Sequence, residues 1–240
     1  LHKAIRRQRQ MCIRDRHLFL LAALFCACIS YAQIRVQERL PKSKTGFALT
    51  TAKARAKIYY DANDALVIKR SAELFARDIQ MVTGQKPELI QKRERAKALV
   101  IVGTIEKNQW ICELAQKGKI DIRPLQGAWE RYLIQTVDNP SPGVAKALVI
   151  AGSDRRGAAY GLFSISEMMG VSPWYWWGDV PVKTHKALYV DAPPTYSKTP
   201  SVKYRGIFLN DEDWGLKPWA AKTFEKERGN IGPRTYAVSY

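Results

Sequence analysis

Two near-copies of one apolar run set the pattern of this chain. Lys97-Ala-Leu-Val-Ile-Val-Gly103 and Lys146-Ala-Leu-Val-Ile-Ala-Gly152 are apolar on both faces between a lysine and a glycine. Strands of that kind are buried on both sides, as in parallel sheets sheathed by helices. Shorter strands are expected at Gly46–Thr50, Lys57–Tyr60 and Ala65–Ile68, and Arg131–Val137 alternates as a half-buried strand does. Helical spacing sets in between them. Over Ser71–Thr83 the residues Ala72, Phe75, Ile79 and Val82 share one face, with Ser71 as the expected N-cap and Gly84 just past the end. Ile105–Lys117 reads as a second helix, and Asn139–Gly143 as a turn cluster.

A third helix follows the second long strand, in Gly152-Ser-Asp-Arg-Arg-Gly-Ala-Ala-Tyr-Gly161. Its outline resembles a phosphate loop, but it lacks the glycine spacing of a dinucleotide fingerprint or a P-loop. The simpler reading has Ser153 or Asp154 capping the helix, glycines letting it lie close on the sheet, and Ala158, Leu162, Ile165 and Met169 facing the core. Strands alternating with helices in this way predict a mixed-sheet α/β domain over residues 45–192. Three prolines between Asp191 and Pro200 mark a linker, drawn at 193–201, with a second domain over 202–240. Between Ser172 and Pro181, four consecutive aromatics, Trp174 to Trp177, offer either a sugar-stacking platform or an extended anchor against a neighbouring domain. The anchor is the favoured reading.

The first residues change the picture of charge and compartment. Residues 1–16 have no hydrophobic period and read as a non-native leader. Residues 17–32 contain an apolar run of about a dozen residues, Leu18 to Ile29, behind Arg14, Arg16 and His17. Ser30-Tyr31-Ala32 follows. This is the form of a signal peptide cleaved before Gln33, and it is too short for a membrane span, which needs about 20 apolar residues. The expected location is periplasmic or extracellular, by export without stable membrane insertion; a lipoprotein acylated at Cys28 fits less well. Cleavage would leave Cys112 as the one cysteine, which excludes an internal disulfide.

The formal charge of +17 includes six basic residues and one acid from residues 1–16, which leaves +12 for the rest. The remaining basic residues cluster at 35–57 and 86–97 without interleaved aromatics, so nucleic acid is not an expected partner. An acidic polysaccharide suits the same field better, and a solvated basic face is the plainest reading. The three histidines, His2, His17 and His185, stand apart, and no Gly-x-Ser-x-Gly elbow is present.

The candidate chemistry lies in Gly206-Ile207-Phe208-Leu209 and the polar cluster Asn210-Asp211-Glu212-Asp213 that follows. An apolar strand delivering polar groups at its carboxyl end is how a (β/α) barrel builds the mouth of its active site. A solvated acidic loop is the alternative.

Three stretches resemble glycoside hydrolase family 115: Ala151–Phe163, Gly170–Val182 and Tyr204–Trp214. The resemblance extends over about residues 45–237. It implies an N-terminal α/β domain followed by the truncated start of a catalytic (β/α)8 TIM barrel at 202–240. It also implies an α-glucuronidase that removes glucuronic acid or its 4-O-methyl ether from glucuronoxylan by inverting hydrolysis. In such a reaction one carboxylic acid protonates the leaving oxygen, while a carboxylate on the opposite face activates water. By resemblance Asp211 is catalytic, helping to place water, and Asn210 and Glu212 bind substrate hydroxyls. Further catalytic acids, and the cation that meets the uronate, are expected beyond Tyr240, and no metal or organic cofactor is implied. Two alternatives stay open at this point: a non-catalytic carbohydrate-binding fragment, and an α-glucuronidase of another family acting on short oligosaccharides.

Overall fold

The computed structural model describes residues 33–178, 180–206 and 208. The chain divides into a compact unit ending at Thr199 and a second unit from Pro200 onward. In the first unit the two long apolar runs become the central strands of a six-stranded sheet, β5 (Ala96–Thr104) and β7 (Val144–Gly152). They pair in parallel, with Ala96 opposite Val144 and Thr104 opposite Gly152. Strand β3 (Lys57–Tyr60) adds in parallel to β5, and the short β4 (Leu89–Ile90) to β3. On the other side β6 (Tyr132–Ser141) runs antiparallel to β7, and β9 (Thr195–Tyr196) antiparallel to β6. The order is β4-β3-β5-β7-β6-β9. A separate three-stranded antiparallel sheet has the order β1 (Arg35–Gln37), β8 (Leu188–Asp191), β2 (Gly46–Thr50).

Strict alternation along the buried strands divides the interior into two cores. Val100 and Val102 of β5, with Leu148 and Ile150 of β7, face the core built by α1 (Leu66–Thr83), α3 (Arg155–Met168) and the small sheet. Leu99 and Ile101, with Ala147, Val149 and Ala151, face the opposite core against α2 (Gln109–Gln116) and the 3-10 turn Arg123–Leu125. This is the sequence's two-sided burial expressed as a helix layer on each face.

Several expectations are corrected. Ala65–Ile68 is not a strand: α1 begins at Leu66, and Ile68, four residues before Ala72, starts the same buried stripe. Ser71 is therefore not an N-cap but a buried residue inside the helix. Asn108, not Ile105, opens α2, its Oδ1 accepting from the N–H groups of Trp110 and Ile111. Strand β6 runs through Asp138 into the expected turn cluster with a bulge before Ser141, leaving Pro142 and Gly143 as the turn. Inside the span read as a linker, Thr195–Tyr196 completes the sheet edge. The aromatic segment is not extended: Trp174–Gly178 forms the single helical turn α4, with the Ser172 hydroxyl accepting from Trp174 N–H. Trp174 is exposed, and the side chains of Trp176 and Trp177 lie outside the described residues.

Candidate functional site

Asn210, Asp211 and Glu212 lie outside the described residues. What the structure gives is the end of the sheet from which the chain leaves toward them, together with the polar groups gathered at that end. In an open α/β sheet the carboxyl ends of the parallel strands are where ligands bind.

At the ends of β3 and β5, Asp64 accepts from Thr104 N–H at 2.7 Å and from Ala65 N–H at 2.7 Å. Asp61 accepts from Asn63 N–H and Gln109 N–H. Asn108 is fully buried and donates to Val102 O while capping α2. Every one of these side chains closes a turn or a helix end, so the cluster is structural.

The same holds at the end of β7. Asp154 Oδ1 accepts from Arg156 N–H at 2.9 Å and Gly157 N–H at 2.8 Å, and its other oxygen accepts from Glu130 N–H at 2.7 Å. Glu130 is buried and pairs with Arg156 at 2.9 Å. An Asp cap that occupies the first donors of α3 leaves no cradle for a phosphate, which supports the structural reading of that helix. A Cβ on Gly157 would stand 2.1 Å from Arg131 O, and one on Gly161 2.6 Å from the Ile150 side chain. These glycines serve close packing.

The departing chain is tied down at Ser197. Its N–H donates to Tyr132 O, its hydroxyl accepts from Tyr132 N–H, and its carbonyl accepts from Arg131 Nε, at 2.8–2.9 Å. Arg131 also donates to Pro124 O, and the Tyr196 hydroxyl donates to Asp121 O at 2.6 Å. Asp121, paired with Arg123 at 2.7 Å, is held at a pKa of about 2 by that guanidinium's hydrogen bonds. Sequence reasoning singled out none of these anchors, because a lone Ser and Arg in different segments give no spacing signal.

On the opposite face Arg93 makes a two-pronged contact with Glu113, at 2.6 and 2.8 Å, and lies 4.9 Å over the Trp110 ring. The Arg93 hydrogen bonds pull the Glu113 pKa down and those of Glu113 push the Arg93 pKa up, while burial pushes Tyr59 up. Tyr59 meets Trp110 edge to face at 4.9 Å. This group locks α2 onto the sheet. Among the described residues no group of three or more His, Cys, Asp or Glu side chains could hold a metal ion, and no helix is long and apolar enough to cross a membrane.

The comparisons with known proteins bear on both units. The family model described as Glycosyl hydrolase family 115 matches residues 197–240, the segment that contains the acidic motif. Among solved structures, the chain is similar to a family GH115 4-O-methyl-alpha-glucuronidase with specificity for decorated arabinogalactans. The identity is 34% and the TM-score 0.60, over 75% of this chain and 22% of that one. The chain thus spans 22% of the length of that structure. A structure named CpGH84D matches at 11% identity with a TM-score of 0.39, over 67% of this chain and 22% of its own. A GH20 beta-N-acetylhexosaminidase from Streptomyces coelicolor A3(2) matches at 12% with 0.36, over 71% and 25%. No curated protein sequence matches the chain.

Proposed function

The chain belongs to glycoside hydrolase family 115, and on that premise we propose that it forms the amino-terminal part of an inverting α-glucuronidase. Residues 45–192 are the accessory α/β domain and residues 202–240 open the catalytic (β/α)8 barrel. The enzyme would remove glucuronic acid or its 4-O-methyl ether from a polysaccharide. The observation that carries this reading is the family match over 197–240, which includes Asn210, Asp211, Glu212 and Asp213. Asp211 at the end of the first barrel strand would help to place the attacking water, and Asn210 and Glu212 would hold sugar hydroxyls. The related structure's stated specificity for decorated arabinogalactans makes that polymer a second candidate substrate beside glucuronoxylan.

The test uses a completed enzyme, in which these 240 residues are joined to the remainder of a homologous family 115 protein. Release of glucuronic acid is measured from both polymers. Asp211→Asn keeps shape and removes charge, so kcat should fall roughly 10²–10⁴-fold, as for a lost general base. Asp213→Asn removes the same charge two residues along and should cost much less. Equal, small losses for the two, with unchanged melting temperature, would make the motif a solvated loop and overturn the assignment. Export belongs to the same reading, with Gln33 as the first residue of the mature chain. Intact-mass analysis of the exported product should give that terminus, and residues 17–32 still attached in a soluble product would refute it.

A further inference from the structure

A concentration of positive charge lies at the amino-terminal ends of β5 and β7, away from the end where Ser197 is bound. Tyr132, the partner of Ser197, stands opposite Gly152 at the carboxyl end of β7. At the far end, beside the β6–β7 turn, a cavity of about 700 Å³ is lined by Arg95, Lys97, Lys117 and Lys119. A neighbouring cavity of about 610 Å³ adds Arg55, Lys57 and Lys146. The two share Arg95, Ala96 and Lys97, so they form one trough across the start of β5. No acidic side chain lines either cavity.

The cations differ in how far the protein already neutralises them. Lys57 is held by Glu88 at 2.9 Å and Glu94 at 2.6 Å, and Lys146 by Asp138 at 3.1 Å. Lys117 reaches Glu113 only at 4.0 Å. Lys119 donates to Asn139 O, which satisfies a proton without cancelling the charge. Arg95 and Lys97 are exposed and have no ion pair among the described residues. The Arg95 stem lies over Gly143, where an added Cβ would come within 2.9 Å of Arg95 Cγ.

We propose that this trough is a secondary binding site for an acid-bearing polysaccharide, with Arg95 and Lys97 meeting uronate carboxylates along the polymer. The cations are divided between two adjoining cavities rather than gathered in one, which suits repeated charges on an extended chain better than a single small anion. Phe47 is the one aromatic side chain lining these cavities and it is buried in the core, so the exposed stacking platform of a single-stranded nucleic-acid site is missing. The choice of a carbohydrate polyanion rests on the family reading above. Retaining the polymer at a site apart from the barrel would raise its local concentration there without any contact with the reacting sugar.

Affinity electrophoresis of the 240-residue chain through gels containing glucuronoxylan tests this. Carboxyl-reduced xylan and a short duplex DNA serve as the comparison probes. Glucuronoxylan should retard the chain at low salt, and the retardation should fade as the Debye length shrinks. Arg95→Ser with Lys97→Ser should weaken binding about twofold to thirtyfold, the range that two exposed ion pairs span. Arg95→Lys with Lys97→Arg should keep it. Lys69→Ser with Arg70→Ser on α1 removes the same net charge elsewhere and should leave it unchanged. Equal loss from the two serine pairs, undiminished binding of carboxyl-reduced xylan, or tighter binding of duplex DNA would each overturn the proposal. The readout involves no hydrolysis, so an inactive completed enzyme would overturn the catalytic reading and leave this one standing.

Discussion

Asp78 is a carboxyl group buried between two helices. It sits on α1 at 6% exposure, and its Oδ2 accepts from the Ser166 hydroxyl of α3 at 2.7 Å. Burial pushes its pKa up, against the opposing pull of the Ser166 bond and of Arg77. A carboxyl whose folded pKa exceeds its unfolded value favours folding when protonated. That advantage is complete below the unfolded value of about 3.9 and is lost as pH rises through the folded pKa. At neutral pH the buried charge therefore weakens the domain. Asp78→Asn keeps an acceptor for Ser166 and removes the titration. Thermal melts should show the variant more stable than the parent at pH 7.5, with the difference closing toward pH 4. A variant less stable than the parent at pH 7.5 would mean that the carboxylate is needed in its charged form.

Element packing shows how tightly α3 is seated. The helix crosses the sheet where Gly157 leaves no room for a methyl group, the nearest atom being the backbone oxygen of Arg131. Backbone does not yield as a flexible side-chain tip does, so Gly157→Ala should destabilise by about 1–3 kcal/mol or more despite alanine's better helix propensity. Urea melts of the first unit would register the loss, and a gain would mean that the helix can lift off the sheet. The glycine and the small residues around it were legible from sequence as a close-lying helix, as were the two long strands, because both signals are local. The start of α1 was misread because Ala65-Leu-Val-Ile68 is apolar and β-branched, and its membership in the Ile68–Ala72–Phe75 stripe emerges only with the helix extended back by six residues. Strands β1 and β9 carry too few residues for a period, and they and β8 find their pairing partners more than 60 residues away in sequence. The terminal capping of Asp154 could be foreseen; the Ser197 anchor, joining residues 65 apart, could not.

At the scale of the whole molecule, the described site chemistry is a scaffold. The carboxyl-end polar groups of the first unit cap helices and hold Ser197, and none of the described clusters there offers a free carboxyl pair of the kind an inverting glycosidase needs. The catalytic assignment rests on the motif at 210–213, which precedes only about thirty further residues of this chain. A (β/α)8 barrel takes about 250 residues, or roughly 30 for each strand and helix. On the reading proposed above, residues 202–240 would supply little more than one of eight such units, whereas an active-site mouth is assembled from the ends of several strands. The 240-residue chain by itself should therefore release no glucuronic acid from glucuronoxylan or from decorated arabinogalactan. Its first unit should still melt cooperatively, since both cores and the six-stranded sheet are built from residues within it. Anion-exchange detection of free uronic acid after long incubation is the measurement. Any turnover above that of the Asp211→Asn form of the same chain would show that the fragment assembles a site of its own.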